Sequence, residues 1–254
     1  MPNDIIVLDL ETARSADDCK HCRQRKEEHR SESSLCHYYV GSDASYEPIG
    51  WTNKPALGLS IGGYYSYVDD RIHWFDEHNL EATIVKFVDE QPLMVSFNGI
   101  GFDFPLMRGI LRQREGKKEV DQIDGLNELR LGVLCDAFKT LAANSYDILA
   151  EIWQADPSSK FKKGLNSLDA IAQANGLGAK ISHGAQAPRD WAAGKHADVI
   201  NYCQDDILKT RALFEKVRAT KGYLLRGDGS ELALRWVTVK GDLAEAVDFT
   251  DLPF

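Results

Sequence analysis

The sequence predicts an α/β protein whose sheet contains strands of mixed direction. Three apolar segments that are typical of strands come first, at Asp4–Leu10, Leu57–Tyr65 and Arg71–Phe75. After them, segments with a helical apolar period alternate with further strand candidates, which indicates a sheet packed against helices. With 254 residues, the chain is long enough for one large domain with a substantial core.

The elements after the third strand are assigned from their apolar patterns. Short apolar runs predict strands at Leu93–Phe97 and Leu131–Cys135. Asp228-Gly229 is a typical turn sequence and predicts a C-terminal β-hairpin of Gly222–Arg226 with Leu232–Val239. Helices are expected at Leu80–Phe87, Phe102–Leu111, Ala137–Trp153, Leu168–Ala174 and Ala197–Val217.

Two segments lie outside this alternation of strands and helices. Residues 13–56 are polar, charged and cysteine-bearing, and we interpret them as an insertion within a domain of residues 1–239. Residues 240–254 are interpreted as an acidic disordered tail, because from Gly241 onward there are four acids and no basic residue.

Composition limits the classes of protein that need to be considered. Hydrophobic residues at 43% and charged residues at 27% are ordinary for a soluble globular protein. No apolar run is long enough to span a bilayer, so no membrane partner is expected. The absence of an apolar signal segment and the small number of cysteines predict a cytoplasmic location. A net charge of −9 argues against tight non-specific coating of nucleic acid, but not against carboxylates that hold metal ions at a scissile phosphate.

Carboxylates recur at the ends of predicted elements. Asp9 and Glu11 are two residues apart on a strand, so their side chains point to the same face. Asp103 follows a glycine-containing turn, while Tyr202 and Asp206 are four apart on one helical face. Acids on an apolar strand are costly unless a cation joins them, and Mg²⁺ and Mn²⁺ prefer oxygen ligands. Each motif by itself also fits an ordinary solvated carboxylate or, for Asp103, a helix N-terminus.

The sequences VLDLET, NGIGFD and YCQDD, in this order, resemble the three motifs of the DEDD 3′–5′ exonucleases in their tyrosine variant, DEDDy. The resemblance covers most of residues 4–239 and extends to bacterial RNase H-like proteins similar to the exonuclease domains of family B polymerases and to helicase-linked nucleases. It implies an RNase H-like mixed five-stranded sheet flanked by helices, with a C-terminal β-hairpin. The implied activity is two-metal-ion hydrolysis at the 3′ ends of single-stranded nucleic acid, DNA favoured over RNA. A structure-specific endonuclease and a non-catalytic nucleic-acid-binding module of the same fold are the alternatives.

The resemblance also implies a role for each motif residue around two Mg²⁺ or Mn²⁺ ions. Asp9 would bridge both ions, Glu11 and Asp206 would complete one site, and Asp103 would help to hold the other. Tyr202 would orient the attacking water, since a phenol with a pKa near 10 is a poor general base.

Three further assignments concern the neighbours of these motifs. Asp205 is the alternative to Asp206, and the Tyr-x-x-x-Asp spacing favours Asp206. Asn98 and Phe102 are expected to shape the substrate pocket, Phe102 by packing or by contact. The remaining candidate substrate-binding residues, which combine positive charge with an aromatic ring, are Lys160, Phe161 and Lys162. The alternative for this run is an ordinary solvated face.

Two features suggest further ligands or partners. A structural zinc ion is a candidate for the insertion, although the ligand spacing is irregular and a flexible loop with incidental thiols is the alternative. Its expected ligands are Cys19, Cys22, Cys36 and His37. The tail, which ends in Leu-Pro-Phe254, is similar to the acidic tail of bacterial single-stranded-DNA-binding proteins, and this resemblance implies docking on DNA replication or repair proteins.

Overall fold

The computed structural model describes residues 4–21, 46–115, 125–162, 164–179 and 186–236. A five-stranded sheet in the order β3-β2-β1-β4-β5 forms the centre of the described residues. Its strands are β1 (Ile5–Thr12), β2 (Leu59–Ser66), β3 (Arg71–Phe75), β4 (Leu93–Ser96) and β5 (Tyr146–Asp147).

Strand direction changes on the two sides of β1. On one side β1, β2 and β3 pair antiparallel, and on the other side β4 and β5 run parallel to β1. Adjacent antiparallel strands need only short turns, whereas each parallel strand is reached by a helical crossover. The arrangement confirms the predicted α/β class with a mixed five-stranded sheet flanked by helices, as expected for an RNase H-like fold.

Helices cover both faces of the sheet. They are α1 (Lys54–Leu57), α2 (Leu80–Glu90), α3 (Asp103–Glu115), α4 (Gly125–Ala143), α5 (Ile148–Ala155), α6 (Leu168–Ala174), α7 (Ala187–Ala192) and α8 (His196–Ala219). A 3-10 helix at Pro157–Phe161 follows α5. Within the described ranges, no helix is both long and apolar enough to cross a membrane.

The central strand β1 contributes to both hydrophobic cores, because successive side chains of a strand point to opposite faces. Ile5 and Val7 pack in the core that contains α5, α6 and α8. Ile6 and Leu8 pack in the other core, against α2, α3 and α4. The row that begins with Ile5 and Val7 continues through Asp9 and Glu11 on the same face. The two acids therefore project toward the side of the sheet that α8 covers.

The prediction of a strand at Leu131–Cys135 was wrong, because these residues lie inside α4. Leu131, Leu134, Cys135 and Phe138 are all buried, and they are spaced as on one face of a helix. The fifth strand is instead Tyr146–Asp147, which divides the predicted helix Ala137–Trp153 into the end of α4 and the start of α5.

The C-terminal strand pair confirms the predicted hairpin over its described part. β6 (Tyr223–Leu225) and β7 (Glu231–Ala233) pair antiparallel. The preceding residue, Gly222, has a φ of 106°, and a Cβ there would lie 2.3 Å from the Leu234 carbonyl oxygen. Only glycine fits this close approach of two backbones.

The described flanks of the segment 13–56 pack beside the sheet. Ala16 and Ile49 form a small buried cluster with Leu57, and Phe102 packs against it. Cys19 is buried and pairs through its backbone with Pro48. The division into a domain, an insertion and a tail remains a prediction, because residues 22–45 and 237–254 lie outside the described residues.

Candidate metal centre

Three carboxylates meet between the central strand and the long C-terminal helix. Asp9 and Glu11 come from β1, and Asp206 comes from α8. Each offers an oxygen atom, and these atoms all lie within 4.8 Å of one another. Glu11 and Asp206 are buried, and Asp9 is half-buried. Three negative charges this close together repel strongly unless a cation joins them, and carboxylate oxygens are the ligands that Mg²⁺ and Mn²⁺ prefer. The donor set therefore fits a hard divalent cation.

A glycine opposite Asp9 allows α8 to approach the sheet. Gly63 of β2 is the cross-strand partner of Asp9, so the two residues share a face. A Cβ at Gly63 would lie 2.7 Å from the Cδ1 atom of Ile207. Ile207 follows Asp206 directly in the helix and is fully buried. The missing side chain of Gly63 thus creates the space in which α8 brings Asp206 to Asp9.

Cys203 connects the same helix to the strand. Its Sγ atom donates a hydrogen bond to the backbone oxygen of Asp9 over 3.5 Å. Burial, together with the nearby charges of Asp9 and Glu11, raises the pKa of the Cys203 thiol well above its usual value. The thiol therefore stays protonated at neutral pH and acts here as a donor that holds α8 against β1.

Tyr202 lies one helical turn before Asp206 and is buried beside it. Its hydroxyl donates a hydrogen bond to the Asp206 carboxylate. Burial raises the pKa of the Tyr202 phenol, and the charges of Asp206, Glu11 and Asp9 raise it further. The phenol is therefore neutral in the metal-free site, and it cannot serve as a general base.

The two adjacent aspartates of α8 have different partners. Asp205 forms an ion pair with Lys209 one turn further along the helix. Lys209 also donates to the backbone oxygen of Ala179 over 3.0 Å, and its side chain is only 7% exposed. Asp205 thus has a cation of its own, whereas Asp206 belongs to the three-carboxylate group. This geometry agrees with the Tyr-x-x-x-Asp spacing.

Asp103 lies close to the three-carboxylate group without belonging to it. It begins α3 and is 4% exposed. Burial raises the pKa of Asp103 to about 8, and the charges of Asp147 and Asp206 contribute to the shift. The structure therefore places Asp103 within electrostatic range of Asp206, in a site where a positive charge would favour its ionised form.

The turn before Asp103 contains the two other residues of the second motif. Asn98 has a φ of 75°, a conformation that asparagine tolerates better than most residues. Its backbone oxygen accepts a hydrogen bond from the Phe102 N–H at 2.8 Å. Phe102 is half-buried, and its ring meets the ring of Trp51 edge-on at 6.0 Å between centroids. Trp51 is 63% exposed, and the sequence analysis did not single it out.

The basic and aromatic run lies beyond the C-terminal end of α5. Phe161 is 90% exposed at the end of the 3-10 helix, and Lys160 and Lys162 are also exposed. The Lys160 ammonium group lies 5.1 Å from the ring centroid of Trp153. The structure thus presents an exposed aromatic ring between two exposed lysines.

Of the four expected zinc ligands, Cys19 is the one within the described residues, and it is buried. Cys22, Cys36 and His37 lie outside them, as does the acidic tail. The zinc site and the tail interaction therefore remain predictions. Asp147, a buried carboxylate beside Asp103, was missed by the sequence analysis because it lies in a segment predicted to be helical.

A mixed sheet with carboxylates between its central strand and a C-terminal helix defines an RNase H-like protein with a candidate metal centre. The chain belongs to the family of predicted 3′–5′ exonucleases related to the exonuclease domain of PolB, whose pattern matches residues 71–233, more than half of the chain. That range includes Asp103, Tyr202 and Asp206. Asp9 and Glu11 precede it, so their assignment rests on the VLDLET motif and on the geometry of the site.

The chain was also compared with individual proteins, and a solved structure is similar to it. The chain is similar to the family B DNA polymerase from the hyperthermophilic archaeon Pyrobaculum calidifontis, with 16% sequence identity and a TM-score of 0.48. The similarity covers 86% of this chain and 25% of the polymerase chain, so this chain spans about a quarter of that protein's length. A search of curated proteins gave no match.

Proposed function

We propose that this protein is a two-metal-ion 3′–5′ exonuclease that removes nucleotides from the 3′ ends of single-stranded nucleic acid, DNA in preference to RNA. The observation that carries the proposal is the group of Asp9, Glu11 and Asp206, whose oxygen atoms lie within 4.8 Å of one another in a member of this exonuclease family. The preference for DNA is inferred from the family's relation to PolB.

The chain's own carboxylates are suited to hold the ions. Asp9, Glu11 and Asp206 would be direct ligands, and Asp103 would complete the set once a nearby cation favours its ionised form. Mg²⁺ or Mn²⁺ bound in such a site lowers the pKa of a water molecule and neutralises charge on the phosphate. The neighbouring aspartate of the helix, Asp205, is not part of this group, because it pairs with Lys209.

Tyr202 has a role that follows from its protonation state. Because the phenol stays neutral, its hydroxyl group can donate to or accept from a water molecule but does not remove a proton from it. The hydroxyl is held beside Asp206, where a water bound near the carboxylates would lie. We therefore assign Tyr202 the orientation of the attacking water.

Two aromatic surfaces are suited to contact the substrate. Phe102 belongs to the turn that leads into Asp103, and the exposed Trp51 ring meets it, so the two rings could stack on a terminal base. Phe161, with Lys160 and Lys162, offers a second stacking surface with charge for the backbone. Asn98 shapes the pocket through the turn itself.

The test is incubation of the purified protein with Mn²⁺ and single strands of DNA or RNA that carry a label at the 5′ or the 3′ end. A ladder of 5′-labelled products that shortens stepwise from the 3′ end, faster for DNA, is the expected result. Internal fragments would point to an endonuclease instead. If the wild type and Asp9→Ala bind the strands equally well and neither cleaves them, the protein is a non-catalytic nucleic-acid-binding module.

A further inference from the structure

We propose that Asp147 is a positioning residue for the nuclease site: its buried carboxylate holds the turn of residues 98–102 against the end of the sheet and thereby sets the position of Asp103. This inference rests on the proposed function, because it assigns a task to a residue around the same site. Neither the sequence motifs nor the three-carboxylate group include Asp147.

The first observation is a pair of hydrogen bonds across a long stretch of sequence. Oδ1 of Asp147 accepts from the Asn98 N–H at 2.9 Å, and Oδ2 accepts from the Ile100 N–H, also at 2.9 Å. These two donors belong to the turn between β4 and α3. One carboxylate therefore binds two alternate N–H groups of the turn, one with each oxygen.

The second observation is that the same carboxylate begins α5. Asp147 is the N-cap of this helix, and its Oδ1 atom also accepts from the N–H groups of Leu149 at 3.0 Å and Ala150 at 3.2 Å. The residue is 2% exposed. Four backbone N–H groups donate to this carboxylate, so it is fixed between the start of the helix and the turn. Its oxygen atoms therefore accept hydrogen bonds from the backbone and are not directed at a cation.

The turn needs an external support because of its own composition. It contains Gly99 and Gly101, and glycine has the greatest backbone freedom of any residue. It is also tightly placed, since a Cβ at Gly99 would lie 2.3 Å from the Oγ atom of Ser96. Phe104 donates back to the Gly99 oxygen at 2.9 Å, so the turn and the first residues of α3 move together. Asp103 lies within that connected unit.

A carboxylate suits this position better than an amide. In Asp147→Asn the remaining carbonyl oxygen can still cap α5, but the amide nitrogen then faces the Ile100 N–H, donor against donor. In Asp147→Ser the hydroxyl still caps the helix, since serine is as good an N-cap as aspartate, but it is too short to hold the turn. The two variants therefore keep the cap and release the turn in different ways.

Hydrogen–deuterium exchange of the peptide that spans residues 97–104 tests the contact directly. Both Asp147 variants should exchange at least about fivefold faster there, because the loss of a single intramolecular hydrogen bond already gives a change of that size. Mn²⁺ affinity should fall about tenfold or more, the usual effect of removing a partner that supports a metal ligand. In the cleavage assay kcat should fall by a similar factor.

Ser167→Ala is the matched control, because it removes the N-cap hydrogen bond of α6 to Ala170, far along the chain from the turn. It should lower the melting temperature without changing exchange at residues 97–104 or Mn²⁺ affinity. Unchanged exchange and Mn²⁺ affinity in both Asp147 variants, or equal effects in Ser167→Ala, would overturn the inference. If the wild type cleaves no strand, the proposed function fails, but exchange and Mn²⁺ binding still decide the role of Asp147.

Discussion

The close approach of α8 to the sheet leads to a quantitative prediction for Gly63→Ala. The added methyl group would lie 2.7 Å from Ile207 Cδ1 and 2.7 Å from Cζ3 of Trp74. Both distances are far inside van der Waals contact, so either the side chains or the helix must move. Overpacking of this kind costs about 1–3 kcal/mol of unfolding free energy. Because Ile207 is next to Asp206, a shift of the helix also moves a candidate ligand away from Asp9.

The effect on metal binding can be separated from the effect on stability. Metal–ligand distances tolerate only about ±0.2 Å, so a displacement of a few tenths of an ångström should weaken Mn²⁺ binding about tenfold. With free Mn²⁺ at about 100 times the wild-type Kd, binding adds about 2.7 kcal/mol to the unfolding free energy of the wild type. A tenfold weaker site retains about 1.4 kcal/mol of that gain.

The neighbouring glycine provides a matched control. A Cβ at Gly62 would lie 2.4 Å from the Phe75 ring and 2.6 Å from Leu10 Cδ2, in the core on the opposite face of the sheet. Gly62→Ala should therefore lower stability to a similar extent and keep the full gain from Mn²⁺. Urea unfolding of the three proteins with Mn²⁺ and with EDTA measures both quantities. A full Mn²⁺ gain in Gly63→Ala would refute the argument that this glycine brings Asp206 to Asp9.

Three other predictions concern the site itself. Tyr202→Phe should lower kcat about tenfold or more and leave Mn²⁺ affinity unchanged, because it removes one hydroxyl and keeps the ring; turnover at the wild-type rate would contradict the water-positioning role. Asp9→Ala should abolish cleavage while the melting temperature in EDTA stays the same or rises, because one of several repelling charges is removed; global unfolding would point to a structural role. The pKa of Asp103 is raised to about 8 in the folded metal-free protein, so the folded state binds more protons than the unfolded state between about pH 4 and pH 8. Its stability in EDTA should therefore fall as the pH rises through this range, and the fall should be smaller in Asp103→Asn; an identical pH profile in both proteins would exclude Asp103 as the cause.

Much of the site could be predicted because its signals are local in sequence. The two-residue spacing of Asp9 and Glu11 places them on one face of any strand, and the four-residue spacing of Tyr202 and Asp206 places them on one face of any helix. Whether the strand face and the helix face meet is not a local property. It depends on Gly63, which is far from both motifs in the sequence. Neither motif contains anything that would indicate the role of this glycine.

The segment from Leu131 to Asp147 shows where local patterns were insufficient. Four buried residues in Leu131–Phe138 have helical spacing, yet the short apolar run at their start also fits a strand, and periodicity alone does not separate the two. The true fifth strand has only two residues, Tyr146 and Asp147, which is too short for a period to be visible. That strand is defined by its pairing with β4, a contact that only the folded chain contains.

The sequence by itself therefore determined the α/β class, the order of the three motifs and the residues that could bind metal, because strand and helix periods and short motifs are properties of neighbouring residues. Only the tertiary structure decided which carboxylates converge and which have other partners. Asp206 joins Asp9 and Glu11, Asp205 pairs with Lys209, and Asp147 binds the turn before Asp103. The physical reason is that the charge and hydrogen bonding of a carboxylate depend on groups within a few ångströms of it, and those groups come from distant parts of the chain.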